Sequence, residues 1–374
     1  MARLRRDVIV RTALKGAEVV ETATRLVRGH QVTECFQADP LLAYLKLNVR
    51  DDFDGGTLIQ EGFFFDGLIG GPYAKGQEFD ISEKQVEQAY QLNMKFFEMN
   101  VTMSLEDIKV LNKGPRAAFK LIDSRMTNAY MTLGAQMSIL QYINGTTAGY
   151  TSNFNGFAEA LNDNTTVSWD NATYATYGGI TRGGQVGTAL NSAPVNINGT
   201  IEYNQLEENY GTASFGNIEP NLGVTTVLGY SYVKEKFQTQ QRFNDTQDPA
   251  IGFNGLKFNS ATIIKSRYAP GTDITTTSPQ SQSNRIAVQA LKTMSQGAVT
   301  AYPTLAQSGE TFWWINARKP FLRFYVSDDP MFGFGFTGFK PAQGNTKVSG
   351  QVLASCQISV PGPRYHKQMY GITS

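Results

Sequence analysis

The sequence predicts an α+β chain, and three stretches predict it. From Tyr90 to Ser104 (YQLNMKFFEMNVTMS) apolar and polar residues alternate with the two-residue rhythm of a strand. After Pro115, Phe119, Ile122, Met126, Tyr130, Leu133, Met137 and Leu140 recur at steps of three and four, one stripe of a 3.6-residue helix. From Lys347 to Val360 the strand rhythm returns, with Val348, Gly350, Val352, Ala354, Cys356, Ile358 and Val360 on one face.

Residues 1–50 read as a mixed, partly helical arm. Arg3, Arg5, Arg6, Arg11, Lys15, Arg25 and Arg28 there outnumber Asp7, Glu18 and Glu21. Such a surplus could meet a phosphate or a neighbour's acidic patch, but a solvated or flexible terminus is the simpler reading. Thr57 to Ile69 (TLIQEGFFFDGLI) follows as a strand rich in Phe, Leu and Ile, and Gly70-Gly71-Pro72 turns the chain. After a polar stretch to about Ala89 the second strand runs to Ser104. Leu92, Met94 and Phe96 share one phase and Met99, Val101 and Met103 the other, which places a bulge or strong twist at Phe96-Phe97. Two long strands with a glycine-rich tip form a projecting β-hairpin. An isolated hairpin is marginal in water, so it must lie on another surface, its own body or another copy.

Pro115 suits the first helical position, and Asn144-Gly145 is expected to stop the helix in a left-handed cap. At 1.5 Å per residue the helix spans about 40 Å and reads as a structural spine. Residues 146–200 are Gly-, Asn- and Thr-rich, with short strands expected around Tyr174–Tyr177. Helices are expected near Ile201–Tyr210 and Ser231–Gln241, with a buried strand at Asn221–Leu228 between them. Phe253–Lys265 reads as strand-turn-strand, and Pro270–Asn284 as a polar loop insertion. Phe312–Val326 (FWWINARKPFLRFYV) reads as an aromatic β run that Pro320 bends or confines to an edge. Lys347–Val360 closes the chain as a half-buried last strand with Cys356 inward.

The formal net charge is +1, which argues against a chain devoted to gripping nucleic acid. Charged residues make up 17% against roughly 25% in an average domain. Asn, Gln, Thr and Ser fill the polar quota, which suits extended hydrogen-bonded contact with neighbours. Cys35 and Cys356 stand far apart, so a disulfide framework is excluded and a reducing compartment expected. His30 and His366 are too few for a three-histidine metal centre. No apolar run is long enough to span a membrane.

Motifs that could carry chemistry do not assemble into a site. Gly333-Phe-Gly335-Phe-Thr-Gly338 matches GxGxxG, but Pro341 follows where a dinucleotide site needs a helix. Tyr230 and Lys234 stand four apart without a phosphate loop upstream. Asp51, Asp52 and Asp54, and Asp328-Asp329, fit no EF-hand spacing and read as acidic turns. No catalytic, cofactor-binding or metal-binding residue is expected. Trp169, Trp313 and Trp314 leave a β-rich carbohydrate-binding protein as an alternative, although Trp313 and Trp314 point to opposite sides of a strand.

The order of parts, namely arm, hairpin, spine helix, mixed α/β region and returning strand, resembles the major capsid proteins of tailed bacteriophages with the Hong Kong 97-type capsid fold. Particular segments are similar too: Phe97–Ser104 leading through Leu105–Leu111 to Gly114-Pro115, Tyr177–Arg182, Gln240–Phe243, Gly252–Asn259 and Thr311–Asn316. The resemblance implies an N-terminal arm at 1–52 and an extended E-loop hairpin at 53–104. It implies a peripheral domain at 105–155 with the spine helix at 115–143. An axial domain at 156–335, with the insertion at 270–284, and a C-terminal strand at 336–374 returning to the peripheral domain complete it.

The implied partners are the chain itself, in pentamers and hexamers of an icosahedral shell, a portal protein, a decoration protein and enclosed double-stranded DNA. No membrane takes part. Relatives that carry a scaffold segment at the N-terminus differ from this chain, where Met1 leads almost directly into the arm, so a separate scaffolding protein is expected. The assembly contacts expected are Arg3, Arg5 and Arg6 in the arm, Phe63, Phe64 and Phe65 in the first hairpin strand, Gly70, Gly71, Lys75 and Lys84 toward the tip, and Phe96 and Phe97 at the bulge. No covalent cross-link is expected from Lys75 or Lys84. The nearest alternative is an encapsulin, the same fold enclosing an enzyme.

Overall fold

Two sheets and one long helix organise the computed structural model of the protein, described over residues 39–106, 115–146, 151–238, 245–247, 254–272, 305–341 and 346–374. For 115–120, 238, 245–247 and 254 only the backbone is described. Helix α1 (Pro40–Asn48) opens with Pro40, whose missing N–H costs nothing at that position, and runs directly into β1 (Arg50–Phe53). Strands β2 (Leu58–Phe64) and β3 (Glu87–Asn93) pair only with each other, antiparallel from Leu58 opposite Asn93 to Phe64 opposite Glu87. Strand β4 (Lys95–Ser104) then leads toward α2 (Pro115–Leu140).

The middle of the chain holds the four-residue α3 (Phe157–Ala160) and the two-residue pair β5 (Thr176–Tyr177) and β6 (Ile180–Thr181). Then follow β7 (Val195–Thr200), α4 (Tyr203–Ala213), β8 (Leu222–Thr225), α5 (Val227–Gln238), β9 (Asp245–Gln247), β10 (Asn254–Phe258) and β11 (Ala261–Lys265). The last part supplies β12 (Glu310–Ile315), β13 (Arg323–Ser327), β14 (Gly335–Phe336), β15 (Lys340–Pro341), β16 (Lys347–Ser359) and β17 (Lys367–Thr373).

Strand β16 is the axis of a six-stranded sheet. One of its edges takes β4, with Lys347 opposite Ser104 and Cys356 opposite Lys95. The other takes β15, β14 and β13 in succession, and β1 extends β13 in parallel. Helix α2 packs beside β4. Its predicted stripe of Ile122, Met126, Tyr130, Leu133, Met137 and Leu140 is buried in the main core. The seven-stranded sheet has the order β7-β17-β12-β8-β11-β10-β9. One face, with Ile263, Phe312, Trp314 and Met369, forms a second core with Leu206, Tyr210 and Val233 of α4 and α5. The other, with Val224, Trp313 and Ile315, joins the main core, where Trp313 lies 4.8 Å from the Tyr142 ring. A sheet covered on both faces reads as a continuous apolar run, which is why the FWW segment shows no clean alternation.

Several expectations change at this level. The run from Tyr90 to Ser104 is two strands with different partners, because β3 pairs with β2 and β4 with β16. Its phase reverses at Met94-Lys95, two residues before Phe96-Phe97, where the chain passes from hairpin to sheet. Phe312–Val326 likewise splits between the two sheets, and the bend at Pro320 holds, following a cis Lys319–Pro320 bond. Val227 and Leu228 begin α5 rather than ending a strand, so the Asn221–Leu228 strand shrinks to Leu222–Thr225.

In β16 the alternation survives to Leu353, after which both faces are buried through Ser359. Ser355, Gln357 and Ser359 therefore lie inside. Nor is β16 the last strand: Lys367–Thr373 continues into the seven-stranded sheet between β7 and β12. Helix α2 stops without a left-handed residue at Asn144 or Gly145. Instead the Asn153 side-chain amide donates to the carbonyls of Leu140 and Asn144, and a Cβ on Gly145 would meet the Phe154 carbonyl oxygen at 2.5 Å. The loop insertion lies outside the described residues from position 273 onward.

Candidate functional site

The site is the β2–β3 hairpin and the loop it carries. Alternation divides the two strands. Ile59, Glu61 and Phe63 of β2, with Tyr90 and Leu92 of β3, face the body and are buried, while Leu58, Gln60, Gly62 and Phe64 face outward. The root is fastened by polar contacts. The Tyr90 and Ser359 hydroxyls lie 2.5 Å apart, and the Val360 N–H donates to the Tyr177 hydroxyl at 3.0 Å.

Glu61 is an acid on the buried face. Burial raises its carboxyl above the ordinary range, opposed by hydrogen bonding from Ser359 and by the Arg323 guanidinium 3.8 Å away. Arg323 also stands 3.8 Å from Asp51, which pairs with Lys319, so a chain of alternating charge runs from the hairpin to β1 and the Pro320 turn.

Beyond Phe65, whose N–H still donates to the Val86 carbonyl at 3.1 Å, the loop departs from the body. Asp66 marks the exit. It pairs with Lys84 at 2.8 Å, accepts from the Gly67 N–H at 2.7 Å, and accepts from Gln185 of the body at 2.5 Å. The Lys84 and Gly67 bonds hold its carboxyl below the usual range. Past this clamp Leu68, Ile69, Tyr73, Phe79 and Ile81 stand in solvent, with Leu68 79% and Ile81 93% exposed. Their one mutual contact among the rings is Tyr73 against Phe79, edge to face at 5.0 Å. An apolar cluster of this size left in water marks a surface awaiting a partner.

The structure sorts the expected contact residues. Phe64 is exposed on the outer face, whereas Phe63 is buried 6.2 Å from the Tyr90 ring and Phe65 packs against the main core. Burial takes Phe63 out of reach of a neighbour. Gly70, Gly71 and Lys75 are exposed in the loop, and Lys84 is held by Asp66. Phe96 is exposed beside Phe332, while Phe97 packs on Phe154 at 4.7 Å. Arg3, Arg5 and Arg6 lie outside the described residues. Sequence reasoning passed over Leu68, Ile69, Tyr73, Phe79 and Ile81 as individual contacts. The signal available was large apolar side chains in a Gly- and Pro-rich polar stretch with no strand or helix rhythm to bury them.

No family model and no curated protein matches the chain. Its structure is similar to solved shells across most of its length. The capsid asymmetric unit of cyanophage A-1(L) superposes with a TM-score of 0.58 at 12% identity, covering 90% of this chain and 93% of that one. The holo-SrpI encapsulin complex of Synechococcus elongatus PCC 7942 gives 0.52 at 9% identity, covering 89% and 87%. The capsid of a native GTA particle gives 0.51 at 8% identity, covering 88% and 89%. This chain has the Hong Kong 97-type capsid fold.

The capsid fold absorbs the motifs that had suggested chemistry. Gly333–Gly338 forms a turn into β14, with Phe334 at φ 63° and strand β15 rather than a helix following among the described residues. Trp169, Trp313 and Trp314 are all fully buried, so none offers a face to a sugar. Asp51 and Asp52 pair with Lys319 and Arg50, and among the described residues no His, Cys, Asp or Glu group could hold a metal ion. His366 is buried, its Nδ1 accepting from the Asn316 N–H at 3.1 Å. His30 and Cys35 lie outside the described residues, and Cys356 is buried in the main core. Among the described residues no helix is long and apolar enough to cross a membrane.

Proposed function

We propose that the protein is the major capsid (head) protein of a tailed double-stranded DNA bacteriophage, self-assembling into an icosahedral shell that encloses the genome. The observation that supports this most is the hairpin loop. On a chain with a capsid fold, Leu68, Ile69, Tyr73, Phe79 and Ile81 project beyond the Asp66 clamp, exposed among the described residues. Residues 1–52 then serve as the arm and 53–104 as the E-loop. Residues 105–155 and 336–374 build the peripheral domain and 156–335 the axial domain.

Copies meet in pentamers and hexamers, and hairpins overlap neighbours so that modest contacts sum over a closed lattice. The further partners of that reading are a portal protein, a separate scaffolding protein and a decoration protein. The chain acts mechanically, without catalysis, and encloses DNA without reading its sequence. Its place is the virion, assembled in the host bacterial cytoplasm.

The experiment is electron microscopy of the expressed full chain, alone and with its neighbouring genes. Closed shells of uniform size support the proposal, and a permanently single, compact subunit overturns it. An encapsulin shares the fold, which makes it the second reading. Shells that hold protein cargo rather than DNA would decide for it.

A further inference from the structure

We propose that the hairpin loop of one copy seats on a basic aromatic surface of a neighbouring copy centred on Phe215 and Arg364. This rests on the shell reading and adds the receiving surface. Outside residues 58–93, the exposed large aromatic side chains among the described residues are Phe96, Phe215 and Phe332. They occupy two places with different charged neighbours.

Phe96 and Phe332 touch edge to face at 5.9 Å. Exposed acids flank them, Glu98 on β4 and Asp328 and Asp329 in the turn before Phe332, against one cation, Lys95, whose ammonium donates to the Thr151 carbonyl. Phe215 is 67% exposed in the turn after α4, whose acid, Glu219, is half-buried and accepts from the Tyr210 hydroxyl at 3.0 Å. The Arg364 guanidinium lies 5.7 Å from its ring and 4.8 Å from the Tyr365 ring, with Nη2 donating to the Tyr365 hydroxyl at 2.8 Å. Tyr365 in turn packs on Phe321 at 4.6 Å, in the turn that Arg318 opens. Arg318 and Arg364 are both exposed, and neither has an acidic partner among the described residues.

The hairpin loop is the complement. Asp66 and Lys84 neutralise each other, which leaves Glu78, Asp80 and Glu83 against Lys75, interleaved with Tyr73, Phe79 and Ile81. Seating this loop at Phe96 and Phe332 would set acid against acid, whereas Phe215 and Arg364 offer an aromatic face with opposite charge. The loop and Phe215 are both exposed, so they do not cover each other within one copy. The contact is therefore heterologous, one surface to a different surface, the kind that closes into rings.

Two measurements on the full chain test this. Arg318→Glu with Arg364→Glu is expected to leave circular dichroism unchanged and to slow shell formation by about tenfold or more in light scattering. Adding Glu78→Lys and Glu83→Lys to that chain is expected to restore assembly. Phe79→Cys with Phe215→Cys is expected to give a reducible ladder of oligomers from intact shells, which neither single variant gives. Normal assembly of the charge-reversed chain, or intact shells of the cysteine pair without a ladder, overturns the assignment while the shell reading stands. An unaltered chain that never assembles overturns both.

Discussion

The Tyr90 hydroxyl lies 2.5 Å from the Ser359 hydroxyl, so the second hairpin strand is fastened to the end of β16, 269 residues further along the chain. The Tyr90 ring stands 5.3 Å from Tyr177, and the Gln91 N–H donates to the Gly178 carbonyl at 2.9 Å. Gly178 is held at φ 55°, and a Cβ there would lie 2.7 Å from the Tyr90 ring. The hairpin is thus packed at its root and exposed at its loop.

Tyr90→Phe removes the hydroxyl bond alone and is expected to cost about 1 kcal/mol. Tyr90→Ala empties a fully buried site and should cost about 3–5 kcal/mol. Gly178→Ala meets both the ring and an unfavourable backbone angle, and should destabilise by about 1–3 kcal/mol. Urea unfolding of the unassembled subunit reads all three. Equal stability of Tyr90→Ala and the parent would show that the root is not anchored here.

Gln357 is the polar pin of the same region. Its side-chain amide donates to the Asn93 carbonyl and to Asn155 Oδ1, both at 2.8 Å, and its Oε1 accepts from the Asn155 N–H at 3.1 Å. Gln357→Leu keeps the volume but strips partners from buried Asn155, and is expected to cost about 2–4 kcal/mol. A thermal melt within a degree or two of the parent would contradict this.

How much of this was legible depends on how local the cause is. The α2 stripe from Ile122 to Leu140 was readable because one helix face decides burial, and every described member of it is inside. The hairpin was readable from its turn and two apolar runs. Which sheet a strand joins was not, because β4 and β16 or β12 and β17 find each other across long separations that leave no local mark. Gln357 and Ser359 looked solvated by alternation, since their burial depends on Asn155, Asn93 and Tyr90 being present. The apolar residues of the hairpin loop escaped notice because they obey no period at all.

The loop should separate stability from assembly. Leu68 and Ile81 touch little among the described residues, so Leu68→Ser with Ile81→Ser is expected to change subunit stability by no more than about 0.5 kcal/mol. Shell yield, read by sedimentation, should nevertheless collapse. Loss of stability without loss of shells would reverse the roles argued for root and loop.

Asp39 and His366 titrate in one pH window with opposite signs. Asp39 is fully buried, accepting from the Ser266 hydroxyl and from the Gln141 amide at 3.0 Å, and burial pushes its carboxyl up from 3.8 to about 6. Between about pH 4 and 6 the folded chain keeps a proton that the unfolded chain has lost, so this group's contribution to stability falls as pH rises, by about 3 kcal/mol in all. Burial lowers His366 from 6.5 to about 4. The unfolded imidazole takes up a proton that the folded one refuses, so its contribution falls as pH drops through nearly the same window. In the parent chain the two effects oppose each other.

Asp39→Asn removes only the first. The new amide can accept from Gln141 Nε2 through its oxygen, leaving the Gln141 bond to the Ser138 carbonyl intact, while its nitrogen donates to the Ser266 hydroxyl, so both partners stay engaged. The variant is therefore expected to be the more stable chain at about pH 7. Relative to the parent it should lose about 3 kcal/mol as pH falls from about 6 to 4. Glu61, Glu159 and Asp170, also raised by burial, are common to both chains and cancel in the difference. Urea midpoints at several pH values measure it, and a difference that stays constant across the window would mean that Asp39 is ionised throughout.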